Sequence, residues 1–500
     1  MTEAHATGDI AALAKGGRTN FFGFLLRLAA RLPFLFIAGR LYGAEALGRF
    51  ASALVVVELV ALLCSLGEKR GLAQRLADGA KGEAPANLVF DALLLALLLG
   101  SGAALFFWFV PRPLFPSGIY TDLDKLLVLA IPAYAMTEIV LAAQAYRFDI
   151  GATVRARAIV EPWTISVMAG LLFLVVPQAG LPLAYLLSIY AGLATALWPF
   201  FKSYGWPREW RPRPARMTKL TIRALPLAGA DAIEWGTRRL DIFILGLFAA
   251  PAVVGVYYVA QQVASLPQKL KTSFEPILGP VITRNLKTRD YAAIAAQVRQ
   301  VGFWIIAAQA GIALALGIPG EAIMGLVGPN FVGGTGALAL LLAAEVVASM
   351  AVVSEAALVY MARVKNLLIS LATIAFQAGL TVLFIEAVQR NALPPAFQGA
   401  AAAAALFVAL GTASLVKAWL LTRLLGEGVG NWRWAIVWAA GPAALVGWGA
   451  TMLPEWAELL FGIAAILFTY GVIIWRYGFG PEDRVLFRRN LKSEAAAEGI

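Results

Sequence analysis

An all-α, polytopic membrane protein of about fourteen transmembrane helices is the fold class the sequence predicts, arranged as two six-helix lobes plus a C-terminal helix pair. Three observations carry it. The 500 residues are 60% hydrophobic and only 14% charged, with a mean hydropathy of +0.75, whereas an ordinary soluble domain carries roughly a quarter charged residues. Apolar windows long enough to cross a bilayer recur from residue 20 onward, and basic residues collect between alternate windows. A membrane β-barrel would show short alternating segments in place of these continuous runs.

The windows fall at about 20–42, 47–66, 87–110, 126–146, 158–176 and 183–201, and, after a polar break, at 220–248, 253–282, 301–318, 336–362, 367–388, 398–421, 434–453 and 459–475. Each approaches the roughly 20 residues that span ~30 Å of hydrocarbon at ~1.5 Å per residue. The first window carries arginines within its apolar run and no small-residue cleavage site, so it reads as a retained span and not as a signal peptide. The break, FKSYGWPREWRPRPARMTK, is basic and proline-rich. The chain therefore divides into an N-terminal cytoplasmic tail (1–19), a first lobe (20–201), a basic cytoplasmic linker (202–219), a second lobe (220–421), an additional helix pair (422–476) and a cytoplasmic C-terminal tail (477–500).

Orientation follows from the basic residues, which short cytoplasmic segments retain. With the N-terminus inside, the inner segments hold about 28 of them, Arg147, Arg155 and Arg157 among these, and the outer loops about 5, namely Arg40, Arg49, Arg112, Lys125 and Arg390. The net charge of +11 is thus accounted for by topology and does not point to nucleic acid. One cysteine, Cys64, and one histidine, His5, exclude an intrachain disulfide, histidine or cysteine metal clusters and histidine-based triads. No cofactor is expected.

Charges inside the windows are the candidate functional residues, because each costs on the order of 3 kcal/mol at a helix centre unless something meets it. Arg27 and Arg31 stand one turn apart on one face of the first window, with Pro33 next to them. Two like charges there suit an anion, above all a phosphate, to which a guanidinium offers forked donors. The competing reading pairs them with carboxylates such as Glu58. In the seventh window Asp231, Glu234, Arg238, Arg239 and Asp241 form a dense block, either a neutralised network or a cavity wall whose pairs break and re-form. Lys269 and Lys271 flank Pro267's end of the eighth window, as snorkelling cations or as contacts at the inner mouth. Glu58, Glu138, Glu345 and Glu355 are candidates for charge pairing or for H+ or Na+ coupling.

Two segments repeat weakly. RLYGAEALGRFASAL lies on LFAAPAVVGVYYVAQ, which places Gly48 on Gly255 and Phe50 on Tyr257, and QAYRFDIGATVRA resembles VYMARVKNLLISL, which places Arg147 near Arg363. The turn followed by G-[RV]-[FY] at the second and eighth spans resembles the multidrug/oligosaccharidyl-lipid/polysaccharide (MOP) exporter superfamily. WGTRRLDIFILGLFAAPAVVGVYYVAQQV and GLVGPNFVGGTGALALLLAAEVVASMAVVSEAALVYMARVKN resemble its Wzx-type oligosaccharide and polysaccharide flippases. The resemblance implies two six-helix lobes that rock about a cationic cavity and move an undecaprenyl-diphosphate-linked oligosaccharide across the bacterial inner membrane for cell-surface polysaccharide (lipopolysaccharide or exopolysaccharide) export. Arg27, Arg31, Arg238, Arg239 and Lys269 would line that cavity. It further implies membrane lipids, a polysaccharide polymerase and a chain-length regulator as partners. The two additional helices are similar to the fourteen-helix lipid II flippases. A cation-coupled drug exporter of the same superfamily is a third reading, disfavoured by arginines in a first span without a carboxylate. A membrane glycan polymerase or ligase is a fourth, disfavoured by short outer loops, the longest about 111–125 and 320–335.

Overall fold

The computed structural model describes residues 32–78, 84–207, 210–212, 214–272, 282–481 and 483–484, all helix, turn or irregular chain with no strand among them. The helices are α1 (32–42), α2 (Gly43–Cys64), α3 (Glu68–Asp78), α4 (Pro85–Phe109), α5 (Ala130–Tyr146), α6 (Gly151–Val175), α7 (Gly180–Tyr204), α8 (Pro214–Phe248), α9 (Pro251–Thr272), α10 (Tyr291–Gly317), α11 (Gly320–Val327), α12 (Thr335–Ser349), α13 (Val352–Met361), α14 (Arg363–Arg390), α15 (Ala396–Leu425), α16 (Ala435–Ala450) and α17 (Glu455–Gly478). Among the described residues ten helical stretches are long and apolar enough to span a membrane. The stretch Leu32–Cys64 is one of these, but at ~1.5 Å per residue it exceeds the bilayer's thickness. It turns at Gly43, whose φ of +80° only glycine adopts readily.

Helix α8, at 35 residues, is too charged to count as a simple apolar span. The predicted tenth span is two helices, since at Met350–Ala351, between α12 and α13, the i→i−4 ladder gives way to i→i−3 bonds, Met350 N–H to the Val347 carbonyl at 3.3 Å and Ala351 N–H to that of Ala348 at 3.2 Å. An amphipathic helix, α3, fills the loop after α2, with Leu72 and Leu76 buried. These departures share a cause: hydropathy reports burial in lipid, not the continuity of the backbone.

The chain forms two compact units. One comprises the described residues up to Tyr258 with Leu393–Gly399, the other Val259–Ala392 and the chain from Ala400. This division differs from the lobes drawn on the sequence, because α8 and the first two turns of α9 group with α2. Packing at that point leaves no room for a side chain. A Cβ on Gly48 would lie 1.7 Å from the Pro251 carbonyl oxygen, and one on Gly255 would lie 2.0 Å from that of Ala44. The two contacts are mirror images in the repeat, which sets Ala44 on Pro251 and Gly48 on Gly255. Their neighbours Phe50 and Tyr257, also equivalent, are both fully buried.

In the first unit the linker is anchored as well as basic: the Trp210 indole donates to buried Asp91 on α4 at 2.8 Å and its ring packs on Phe90. The second unit has its core along α10, where Ile294, Val298, Phe303, Ile305 and Ile306 meet residues of α13, α15, α16 and α17. Its last described residues fold back. Asp483 accepts from Arg433 at 2.6 Å, the Trp304 indole at 2.8 Å and the Gly480 amide at 2.9 Å, while Arg433 stacks 4.0 Å from the Phe303 ring centre.

Candidate functional site

A cluster of charged side chains lies among the helices of the first unit. Arg157 is its centre. Its guanidinium donates to both carboxylate oxygens of Glu161 at 3.0 Å and to Glu138 at 2.5 Å, and lies 4.4 Å from the Tyr134 ring centre. The sequence reading put Arg157 in a cytoplasmic loop, and the structure corrects this: it lies within a candidate span, Gly151–Val175. The error has a clear origin, since a charge at the edge of an apolar window reads as the window's end, and the two carboxylates that neutralise Arg157 come from one turn ahead and from a different helix.

Local sequence explains how Arg157 reaches them. The stretch Val154–Val160 is π-helical, and Pro162 follows directly. Proline removes one helical donor, and its ring crowds the carbonyl four residues earlier, which favours a widened turn on its N-terminal side. Space for Glu161 is provided by α7, where a Cβ on Gly192 would lie 2.5 Å from Glu161 Oε1.

Beside this group stands a second pair. Arg239 Nε is 3.8 Å from Glu58 Oε2, with both side chains partly exposed. Tyr134 and Tyr185 lie within electrostatic reach of Glu58, Glu161 and Arg157 and so join the two groups. Tyr185 Oη is buried and has no hydrogen-bond partner among the described residues. Among the described residues Glu58, Glu138 and Glu161 face Arg157 and Arg239.

The remaining predicted site residues are placed as follows. Arg27 and Arg31 lie outside the described residues, as do the side chains of Glu234 and Lys269. Glu58 is engaged with Arg239. Asp231 and Asp241 are buried, and Asp241 accepts from Tyr257 Oη at 2.6 Å. Arg238 is exposed next to half-buried Arg239. Glu345 is half-buried on α12, and Glu355 on α13 pairs with Lys417 at 3.0 Å. Arg157, Glu161, Tyr134, Tyr185 and Lys417 were not singled out from sequence. The i, i+4 spacing of Arg157 and Glu161 was the available signal for two of them. Among the described residues no group of three or more His, Cys, Asp or Glu side chains could hold a metal ion.

This arrangement offers a polar surface within the membrane, with carboxylates that can load a proton or cation and guanidiniums that can meet an anion. No curated protein matches the chain. Among solved structures, the chain is similar to an inward-facing multidrug resistance MATE family transporter of the MOP superfamily, with 15% identity, 80% of this chain and 98% of that one covered, and a TM-score of 0.65. It is also similar to the lipid II flippase MurJ in an inward closed conformation, with 10% identity, coverage of 94% and 99%, and a TM-score of 0.67. A MATE structure in complex with MaD5 shares 16% identity over 84% and 96%, with a TM-score of 0.54. The chain therefore shares the fold of these structures. A family model described as polysaccharide biosynthesis protein matches residues 23–285, more than half of the chain, which thus belongs to that family.

Proposed function

We propose that the protein is a flippase that carries an undecaprenyl-diphosphate-linked oligosaccharide from the cytoplasmic to the outer leaflet of the inner membrane for cell-surface polysaccharide synthesis. The observation that carries this reading is the polar interior about Arg157 and Arg239 in a chain of the polysaccharide biosynthesis family. A lipid-linked glycan needs a polar path for its headgroup and matching charge for its diphosphate, and guanidiniums supply the charge. Arg27, Arg31, Arg238, Arg239 and Lys269 form the cationic side of that path. Alternating access of the two repeats exposes it to each side in turn, and H+ or Na+ loading of the interior carboxylates drives the cycle. Both termini are cytoplasmic, and a polysaccharide polymerase and chain-length regulator receive the product.

A lipid II-type headgroup is the second reading, favoured by the near-complete coverage of the chain by the MurJ fold. In cells that depend on this protein for surface glycan, Arg27→Ala and Arg31→Ala are each expected to lower export at least tenfold with normal membrane insertion. Full export by both variants would contradict the assigned path.

A further inference from the structure

The second unit contains an intramembrane charge pair of a different kind from the Arg157 cluster. Lys417, on α15, is 7% exposed and lies inside a candidate span, Ala396–Leu425. Its ammonium meets Glu355 Oε2 at 3.0 Å, and the glutamate side chain is 45% exposed. Glu355 sits in the first turn of α13, directly after the break at Met350–Ala351. The break's carbonyls are capped by side chains, that of Val347 by Ser414 Oγ at 2.8 Å and that of Met350 by Asn431 Nδ2 at 2.9 Å. Ser414 and Lys417 share one face of α15. That face therefore pins both halves of the broken span: α12 through a hydroxyl, α13 through an ion pair. Beside Glu355, Ser354 Oγ is buried and has no partner among the described residues.

Two contrasts define what the pair can do. Arg157 is held by two carboxylates and a ring, and a guanidinium keeps its charge in any protein environment. Lys417 has one carboxylate. Glu138 and Glu355 stand at nearly the same distance before the basic turns at Arg147 and Arg363 that the repeat equates. The equivalent position is thus a saturated clamp in one unit and a single, half-open pair in the other.

We propose that Glu355 and Lys417 form a proton-binding site, at which uptake of a proton by the carboxylate releases α13 from α15. This rests on the alternating-access reading and assigns its coupling step. A proton neutralises Glu355, so the Nζ–H···Oε2 ion pair is lost and Lys417 is left as a buried cation without a counter-charge, a state costly enough to drive rearrangement. A sodium ion would have to share the same carboxylate with the ammonium and set two positive charges side by side.

Other charged and titratable groups on the elements packed against α13 are accounted for. On α10, Arg299 donates to the Gly428 carbonyl at 2.5 Å and Tyr291 stands at the helix start. On α12, half-buried Glu345 lies about one and a half turns before the break. Arg363 and Lys365 are exposed at the start of α14, whose Glu386 and Arg390 pair with each other. Arg423 on α15 stacks over Trp419. Among the described residues Lys417 is the charged group at ion-pair distance from Glu355.

The test uses the full chain with Cys64→Ala, reconstituted, and spin labels at Tyr360→Cys on α13 and Trp419→Cys on α15, both about half exposed in the native protein. The distance distribution is expected to shift from one population to another as the medium is acidified and to be indifferent to sodium at fixed pH. Glu355→Gln should hold the acidic population several-fold enriched at every pH, Glu355→Asp should restore the titration, and Glu355→Leu with Lys417→Leu should abolish it. A wild-type titration in Glu355→Gln or in the double variant, or a shift produced by sodium, would overturn the proposal. The flippase reading fails separately, if the labelled protein titrates as expected yet moves no diphosphate-linked lipid.

Discussion

A guanidinium inside a bilayer costs on the order of 3 kcal/mol unless it is neutralised, and Arg157 meets Glu138, Glu161 and the face of Tyr134. Removing it alone leaves two partly buried carboxylates without a counter-charge. Arg157→Leu is therefore expected to destabilise the purified protein by about 3–5 kcal/mol, read as a lowered melting temperature in detergent. Adding Glu138→Gln and Glu161→Gln should recover most of that loss, and no recovery would show that Arg157 does not act through these two groups. At the other end of the chain Asp483 offers a pH test outside the spans. Burial raises its pKa, but hydrogen bonds from Arg433, the Gly480 amide and the Trp304 indole, with Arg433's charge, outweigh it and hold the carboxyl below its ordinary value. A depressed native pKa gives stabilisation that is complete above about pH 4, the unfolded value, and is lost as pH falls through the native one. Asp483→Asn should cost on the order of 2 kcal/mol at neutral pH and flatten the acid limb of the stability profile. An unchanged acid limb would exclude this role for Asp483. Neither Arg157 nor Asp483 stood out in the sequence, because Arg157 adjoins an apolar window, where a charge is indistinguishable from the onset of a loop, and Asp483 falls in the polar tail after the last one.

At the scale of elements, most helices were legible because lipid imposes a length and a composition that a hydropathy window detects. What the window could not detect is where the backbone departs from an α-helix: the π turn before Pro162, the break at Met350–Ala351, and α3, whose charged surface hides its buried Leu72 and Leu76. The crossing of α2 with α9 was foreshadowed by the weak repeat, and the structure supplies its physical content in two carbonyls that press on two glycines. A methyl group at either position would meet backbone, which cannot move aside as a flexible side chain can. Gly48→Ala and Gly255→Ala should each cost about 1–3 kcal/mol, the usual penalty of overpacking, in a detergent melting assay. Gly441→Ala, where nothing lies within 4 Å, is the control and should melt as the wild type does. Equal melting of all four proteins would contradict the crossing.

For the whole molecule, charge distribution and fold point the same way. The sequence pattern of a chain with 41 basic and 30 acidic residues assigns most of its cations to one set of loops and few to the apolar windows. The fold class and the family were readable from composition, window spacing and the repeated segments, since these properties extend over the whole chain. The site was readable only in part: Glu58, Glu138 and Glu355 were named as single charges and Arg239 within a dense block, whereas the pairings Glu58–Arg239, Glu138–Arg157 and Glu355–Lys417 emerged once helices distant in sequence were brought together. The most direct measurement is translocation of a fluorescent polyprenyl-diphosphate-linked oligosaccharide in vesicles containing the purified protein. Movement well above protein-free vesicles is expected, lowered at least tenfold by Arg27→Ala and by Arg31→Ala. Vesicles that leave this lipid in place while accumulating organic cations would contradict the assignment as a glycan-lipid flippase.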